Sequence, residues 1–116
     1  MKYILIMMSF PMLVAGECNK QKKGDDPVPV CVGQKIEAIK KEPKWNPPAQ
    51  VDEYLYNGKH VFLFSSNCCD QYNLLYDDSC KALCAPSGGI AGHGDQKCVD
   101  FFTTAVYVKL VWKDPR

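Results

Sequence analysis

The segment of most unusual composition is Ala85-Pro86-Ser87-Gly88-Gly89-Ile90-Ala91-Gly92-His93-Gly94-Asp95, in which four glycines fall within seven residues. Glycine at that density predicts irregular backbone, since each one relaxes the steric limits that hold a chain in a helix or strand. A phosphate-binding loop would need Lys-Ser or Lys-Thr after the glycines and a helix behind them, and the sequence supplies neither. Ser87, His93 and Asp95 or Asp100 are the residue types of a nucleophile, a base and an orienting acid, a constellation defined by geometry rather than chain order. A nucleophilic serine, however, needs a rigid strained turn and a built oxyanion hole, whereas Ser87 is followed by glycines. No catalytic residue is therefore assigned, and the chain reads as non-enzymatic. Ser87, Gly88, Gly89, His93 and Asp95 are instead candidate binding residues, presented on a loop clipped between Cys84 and Cys98.

The other reactive side chains are the cysteines at 18, 31, 68, 69, 80, 84 and 98, an odd number for an oxidised protein. Setting Cys18 apart as a lipid attachment point leaves Cys31, Cys68, Cys69, Cys80, Cys84 and Cys98 for three disulfides, in a connectivity that spacing does not decide. Cys68 and Cys69 are expected to reach two different partners, because a bond between neighbours closes a strained ring. Zinc competes for the same thiols, with Cys80-x3-Cys84 and His93 near Cys98, but an oxidising compartment favours bridges. Thiol-redox catalysis lacks a Cys-x-x-Cys pair. Asp70, Asp77, Asp78, Asp95 and Asp100 face only Lys81 and Lys97 across residues 70–100, yet the spacing of a calcium loop is missing. Asp77, Asp78 and Asp95 are expected to serve turns. No metal and no cofactor is expected.

Several elements must position these groups. Lys2 followed by the apolar run Tyr3–Val14 and Ala15-Gly16 predicts an export signal over residues 1–16. That run falls short of the roughly 20 residues of a membrane-spanning helix. Residues 17–30 are polar and proline-punctuated, as a surface tether is, and residues 31–116 form the domain. Val32, Ile36 and Ile39 recur at helical spacing and Pro43 ends that helix. Trp45-Asn46-Pro47-Pro48 is a stiff connector that presents Trp45 either as a lid on the core or as a ligand-binding aromatic. Alternation around Asn57-Gly58 predicts a hairpin over Val51–Ser65, in which His60 is a surface or rim residue. A second strand pair is expected at Asn73–Tyr76 and Lys81–Ala85, and a last strand at Ala105–Trp112. The fold class is α+β: one small domain, an N-terminal helix packed on one face of an antiparallel sheet, stapled by disulfides.

Beyond residues 1–16 the chain carries thirteen basic and thirteen acidic side chains, and Arg116 is the sole arginine, so nucleic acid is excluded as a partner. The segments Cys68-Cys69-Asp70-Gln71, Cys84-Ala85-Pro86-Ser87-Gly88-Gly89-Ile90, Gly94-Asp95, Lys97-Cys98 and Trp112-Lys113-Asp114 resemble a family of small bacterial envelope lipoproteins known only as a domain of unknown function. The likeness runs from about Cys31 to Arg116 and takes in Lys41-Glu42-Pro43 and Asn46-Pro47-Pro48. It implies a compartment and no activity. Relative to that family, Ser87, His93 and Val99 depart from the usual residue types, as does Glu17 before Cys18. The resulting expectation is an exported protein of the bacterial cell envelope, lipid-anchored through Cys18 in the outer membrane or free in the periplasm, with secretion as the alternative. Its function would be binding or interaction, with another envelope or extracellular protein as the expected kind of partner, at the face formed by Pro86–Asp95 with Trp45 nearby. A protease inhibitor is the alternative within binding, and a small hydrolase or thiol-redox protein the alternative outside it.

Overall fold

The computed structural model describes residues 27–68 and 70–116. The expected export signal, Cys18, most of the tether and Cys69 lie outside the described residues. The first described element is α1 (Val30–Lys40), and its buried residues are the three that the periodicity picks out, Val32, Ile36 and Ile39. Each such side chain moved out of water contributes about 1.5–3 kcal/mol, so this one stripe is enough to seat a helix of three turns. Pro29 provides no side-chain cap at its start.

The strands follow as β1 (Gln50–Tyr56), β2 (Lys59–Phe64), β3 (Tyr72–Tyr76), β4 (Ala82–Gly88) and, after the short helix α2 (Phe101–Thr104), β5 (Val106–Lys113). All pairs are antiparallel, in the order β4-β3-β2-β1-β5. The β1–β2 hairpin turns on Asn57 and Gly58 at φ 51° and 77°, the positive values that Asn-Gly tolerates. β1 to β4 thus form a meander, and the chain must then travel from one edge of the sheet to the other to place β5 beside β1.

That crossing covers the second face. Val51, Phe62 and Phe64 point to one side and pack with α1. Val61 and Leu75 point to the other and pack with Cys84 of β4 and with Cys98 and Phe101 of the crossing segment. The sequence pattern suggests a helix on one face only; the structure corrects this to two covered faces, with α2 contributing the fully buried Phe101. A four-residue helix has no period to detect, so α2 was not expected.

One disulfide staples each layer. Cys31–Cys80 ties the start of α1 to the turn between β3 and β4, and Cys84–Cys98 ties β4 to the crossing segment, with Cα separations of 6.0 and 6.1 Å. These thiols are oxidised and cannot serve as zinc thiolates. Cys68 is disulfide-bonded as well.

The glycine-rich segment is more regular than its composition suggests. β4 continues through Pro86, Ser87 and Gly88, and residues 74 and 85–86 oppose each other one against two, a bulge in an edge strand where Pro is tolerated. The rest of the segment then folds back along the outer edge of β4. Gly94 N–H donates to Gly88 O at 3.0 Å, Asp95 N–H to Ala85 O at 2.9 Å, and Gly88 and His93 form a parallel bridge. A Cβ on Gly94 would collide with the Ala85 carbonyl oxygen, and its φ of 68° disfavours any other residue. The loop therefore closes a sheet edge that would otherwise be open.

Candidate functional site

A groove of about 430 Å³ lies between α1 and the strands β2 and β3. Its helical wall is built from Lys35, Ala38, Ile39 and Glu42, spaced at three and four residues and so on one side of the helix and the turn that extends it. Tyr72, Leu74 and Tyr76 form the opposite wall, alternate residues of β3 that share one face. Trp45 also lines it, half-buried, with its indole Nε1–H donating to Glu42 Oε2 at 2.8 Å. Lys35 Nζ sits 4.3 Å from the centre of the Tyr76 ring, and the Phe64 and Tyr76 rings meet edge to face at 5.3 Å. Trp45 also packs against the α1 core cluster, so it is lid and wall together.

The candidates from the glycine-rich segment divide between two places. Gly88 pairs with Tyr72, and a Cβ on Gly89 would come within 2.6 Å of the Tyr72 ring, so this corner is pressed against the back of the groove wall. Ser87 Oγ accepts from Asn73 Nδ2 at 3.0 Å, while Asn73 Oδ1 accepts from the N–H of Ser66, a groove residue, at 2.9 Å. Ser87, Gly88 and Gly89 thus support the groove that Trp45 lines. His93 is exposed and Asp95 half-buried, both on the far side of β4 and outside that lining.

These contacts also account for the groups of a conceivable hydrolytic triad. Ser87 is engaged by Asn73 and not by His93. Asp95 accepts the Lys97 N–H at 3.0 Å, a bond that holds its carboxyl below the usual carboxylate range. Asp100 accepts from the Tyr56 hydroxyl at 2.6 Å, and the Tyr56 hydroxyl is in turn made harder to ionise by that bond. Asp77 accepts from the N–H groups of Ser79 and Lys81, the turn role expected of it. His60, exposed as expected, approaches the buried Glu53 at 3.4 Å.

Trp45, a candidate from the sequence, lines the groove, whereas Lys35, Glu42, Asn67, Gln71, Tyr72 and Tyr76, which also line it, are not marked by the sequence pattern. The i, i+7 spacing of Lys35 and Glu42 and the alternation of Tyr72 and Tyr76 are the faint signals it does hold. Asp114 is unmarked as well; its buried carboxylate holds the guanidinium of Arg116 at 2.7–3.1 Å. Arg116 then donates to Glu42 O at 2.9 Å and to Lys40 O at 3.3 Å, carbonyls that the end of α1 leaves unpaired.

The architecture is that of a small α+β domain with both faces of its sheet stapled by disulfides and a groove under one helix. The chain belongs to the family described as a domain of unknown function (DUF6970), whose model matches residues 37–114. The match spans the last four residues of α1 and the whole sheet. No curated protein and no solved structure shows a significant match to the chain.

Proposed function

We propose that the protein is an exported, non-enzymatic binding module whose recognition surface is the groove lined by Trp45, with the Ser87–Gly89 corner supporting its wall. The observation that carries this reading is a concave site of ligand-binding size with aromatic walls and polar groups at its rim. The serine, histidine and aspartate that chemistry would require are each engaged elsewhere or apart. Export is supported by the disulfides, which form and persist in oxidising compartments, and by the apolar run before Ala15-Gly16. Among the described residues no helix is long and apolar enough to cross a membrane. Attachment to the bacterial envelope would run through a lipid on Cys18 and the tether over residues 17–30. The intact mass of the native protein tests this part: a lipid increment on a chain beginning at Cys18 supports it, and an unmodified chain beginning at Glu17 refutes it.

The protease-inhibitor alternative requires an extended segment that lies in a protease cleft like a substrate. Ile90 is 92% exposed at the loop tip, but its neighbours Gly89 and Gly92 have positive φ and the segment is folded into turns. The groove is therefore the better-supported surface. Its test is ligand-observed NMR with the full oxidised chain and a set of neutral and charged small molecules. Binding that weakens in Trp45→Ala and in Gln71→Ala supports the reading. Absence of any binding, or binding indifferent to both substitutions, overturns it.

A further inference from the structure

The groove's own chemistry narrows the ligand, and this step rests on the binding reading above. Its two charges are of opposite sign and both are engaged within the wall: Lys35 lies over the Tyr76 ring and Glu42 accepts the Trp45 indole N–H. Lys35 and Glu42 carry opposite charges, so the lining is neutral overall and favours neither sign of ligand. What the rim offers instead is neutral. Asn67 and Gln71 are exposed, and their side-chain amides make no hydrogen bond to another described residue. A purely apolar ligand would cover these amides without replacing the water bonds they give up, an expensive exchange. The walls are the rings of Trp45, Tyr72 and Tyr76, flat apolar surfaces with a polar atom at one edge.

From this combination we infer that the groove binds a neutral saccharide, one or two rings long, stacked by its C–H face on the Trp45 and Tyr72 rings and hydrogen-bonded through its hydroxyls to Asn67 and Gln71. A sugar ring is itself amphipathic in the required sense, apolar on one face and polar around its rim. It carries no charge, and it fits a groove of about 430 Å³. The open, one-sided groove excludes water from only part of the ligand, which places the affinity near about 1 mM, a level at which few contacts exceed the cost of association. Gly89 bears on the same wall: a Cβ there would come within 2.6 Å of the Tyr72 ring, so a larger residue displaces that ring.

The test uses the full oxidised chain in a Trp112→Phe background, which leaves Trp45 as the one fluorescent indole of the two tryptophans. The probes are maltose and N,N′-diacetylchitobiose as neutral disaccharides, glucose 6-phosphate and glucosamine as charged sugars, and indole as an apolar ring. Saturable change of Trp45 emission with either disaccharide, accompanied by shifts of the Gln71 and Tyr72 amide resonances, is the expected result. Gln71→Ala and Asn67→Ala should each weaken that binding roughly three- to tenfold, the loss of one hydrogen bond. No saturable response to either disaccharide overturns the inference, as does a response to the charged sugars alone. If indole then binds in the groove while the disaccharides do not, the groove remains a binding site and only its assignment to saccharides fails. If none of the probes binds, the binding reading falls with it.

Discussion

Gly94 shows how one residue can decide whether a loop becomes a binding surface or a part of the sheet. Its amide reaches Gly88 O and the next amide reaches Ala85 O, and both bonds need the backbone of residue 94 against the carbonyl of residue 85. Gly94→Ala should destabilise the protein by about 1–2 kcal/mol for the left-handed backbone alone, with about 1–3 kcal/mol more for the forced displacement of β4. Gly92→Ala at a similar φ, where a Cβ meets open space, should cost only the first part. Urea denaturation midpoints of the two variants measure the difference, and equal midpoints would show that the close approach to Ala85 is relieved cheaply. At this scale the sequence was legible only in part. Four glycines in seven residues signal unusual backbone, but composition cannot distinguish a loop tip from a strand edge; that depends on which carbonyl lies within reach. Trp45 stood out because it is held by prolines. Gln71 and Tyr72 did not, because nothing local in Asp70-Gln71-Tyr72-Asn73 marks them as neighbours of a helix more than thirty residues earlier.

Elements with a period were read well, and those without one were not. Val32, Ile36 and Ile39 repeat at helical spacing and are the buried face of α1, while the Asn57-Gly58 turn and its alternating flanks became β1 and β2. The end of α1 was visible only as Pro43, yet its unpaired carbonyls are met from the far end of the domain. Asp114, whose N–H is fixed to Ala49 O at 2.8 Å, aims the Arg116 guanidinium at Lys40 O and Glu42 O. A cation there also suits the negative end of the helix. The guanidinium holds the Asp114 carboxyl below the usual carboxylate range. With the folded pKa depressed, the contribution of this pair is fully present above the unfolded carboxylate pKa and is lost as pH falls through the folded value. Arg116→Ala should therefore lower Tm at neutral pH, and its Tm should fall less steeply than wild type on acidification, though Asp95 keeps a similar dependence in both. Thermal melts of the two proteins between neutral and strongly acidic pH check the sign. Parallel curves would mean that Arg116 acts on α1 without any hold on Asp114.

At the scale of the whole molecule, the Cys31–Cys80 and Cys84–Cys98 disulfides do different work because they staple different layers. Cys31–Cys80 closes a separation of 49 residues and fixes α1, one wall of the groove, to the β3–β4 turn beyond the other wall. Cys84–Cys98 closes 14 residues and holds the crossing segment on the opposite face, behind Val61, Leu75 and Phe101. Loop-closure entropy gives the longer bridge about 4 kcal/mol of stabilisation and the shorter about 3 kcal/mol, so a stability measurement alone would rank them close together. Function should separate them. In the double substitution Cys31→Ser with Cys80→Ser, α1 loses its covalent tie and is held by the packing of Val32, Ile36 and Ile39, the Arg116 contacts and the Lys35 and Lys40 ring contacts, so the spacing between Lys35 and Tyr76 can vary more. Any ligand that needs both groove walls should then bind less well even at temperatures where the fold is intact. Cys84→Ser with Cys98→Ser should lower the denaturation midpoint by a comparable amount and weaken groove binding less in the folded protein, because Cys84 and Cys98 pack with Val61, Leu75 and Phe101 on the face opposite α1. Titration of the same probe with both variants, at a temperature below each Tm, distinguishes these outcomes. Equal loss in both would mean that the two faces of the sheet move together, and that the groove is set by the stiffness of the whole domain rather than by the clamp on α1.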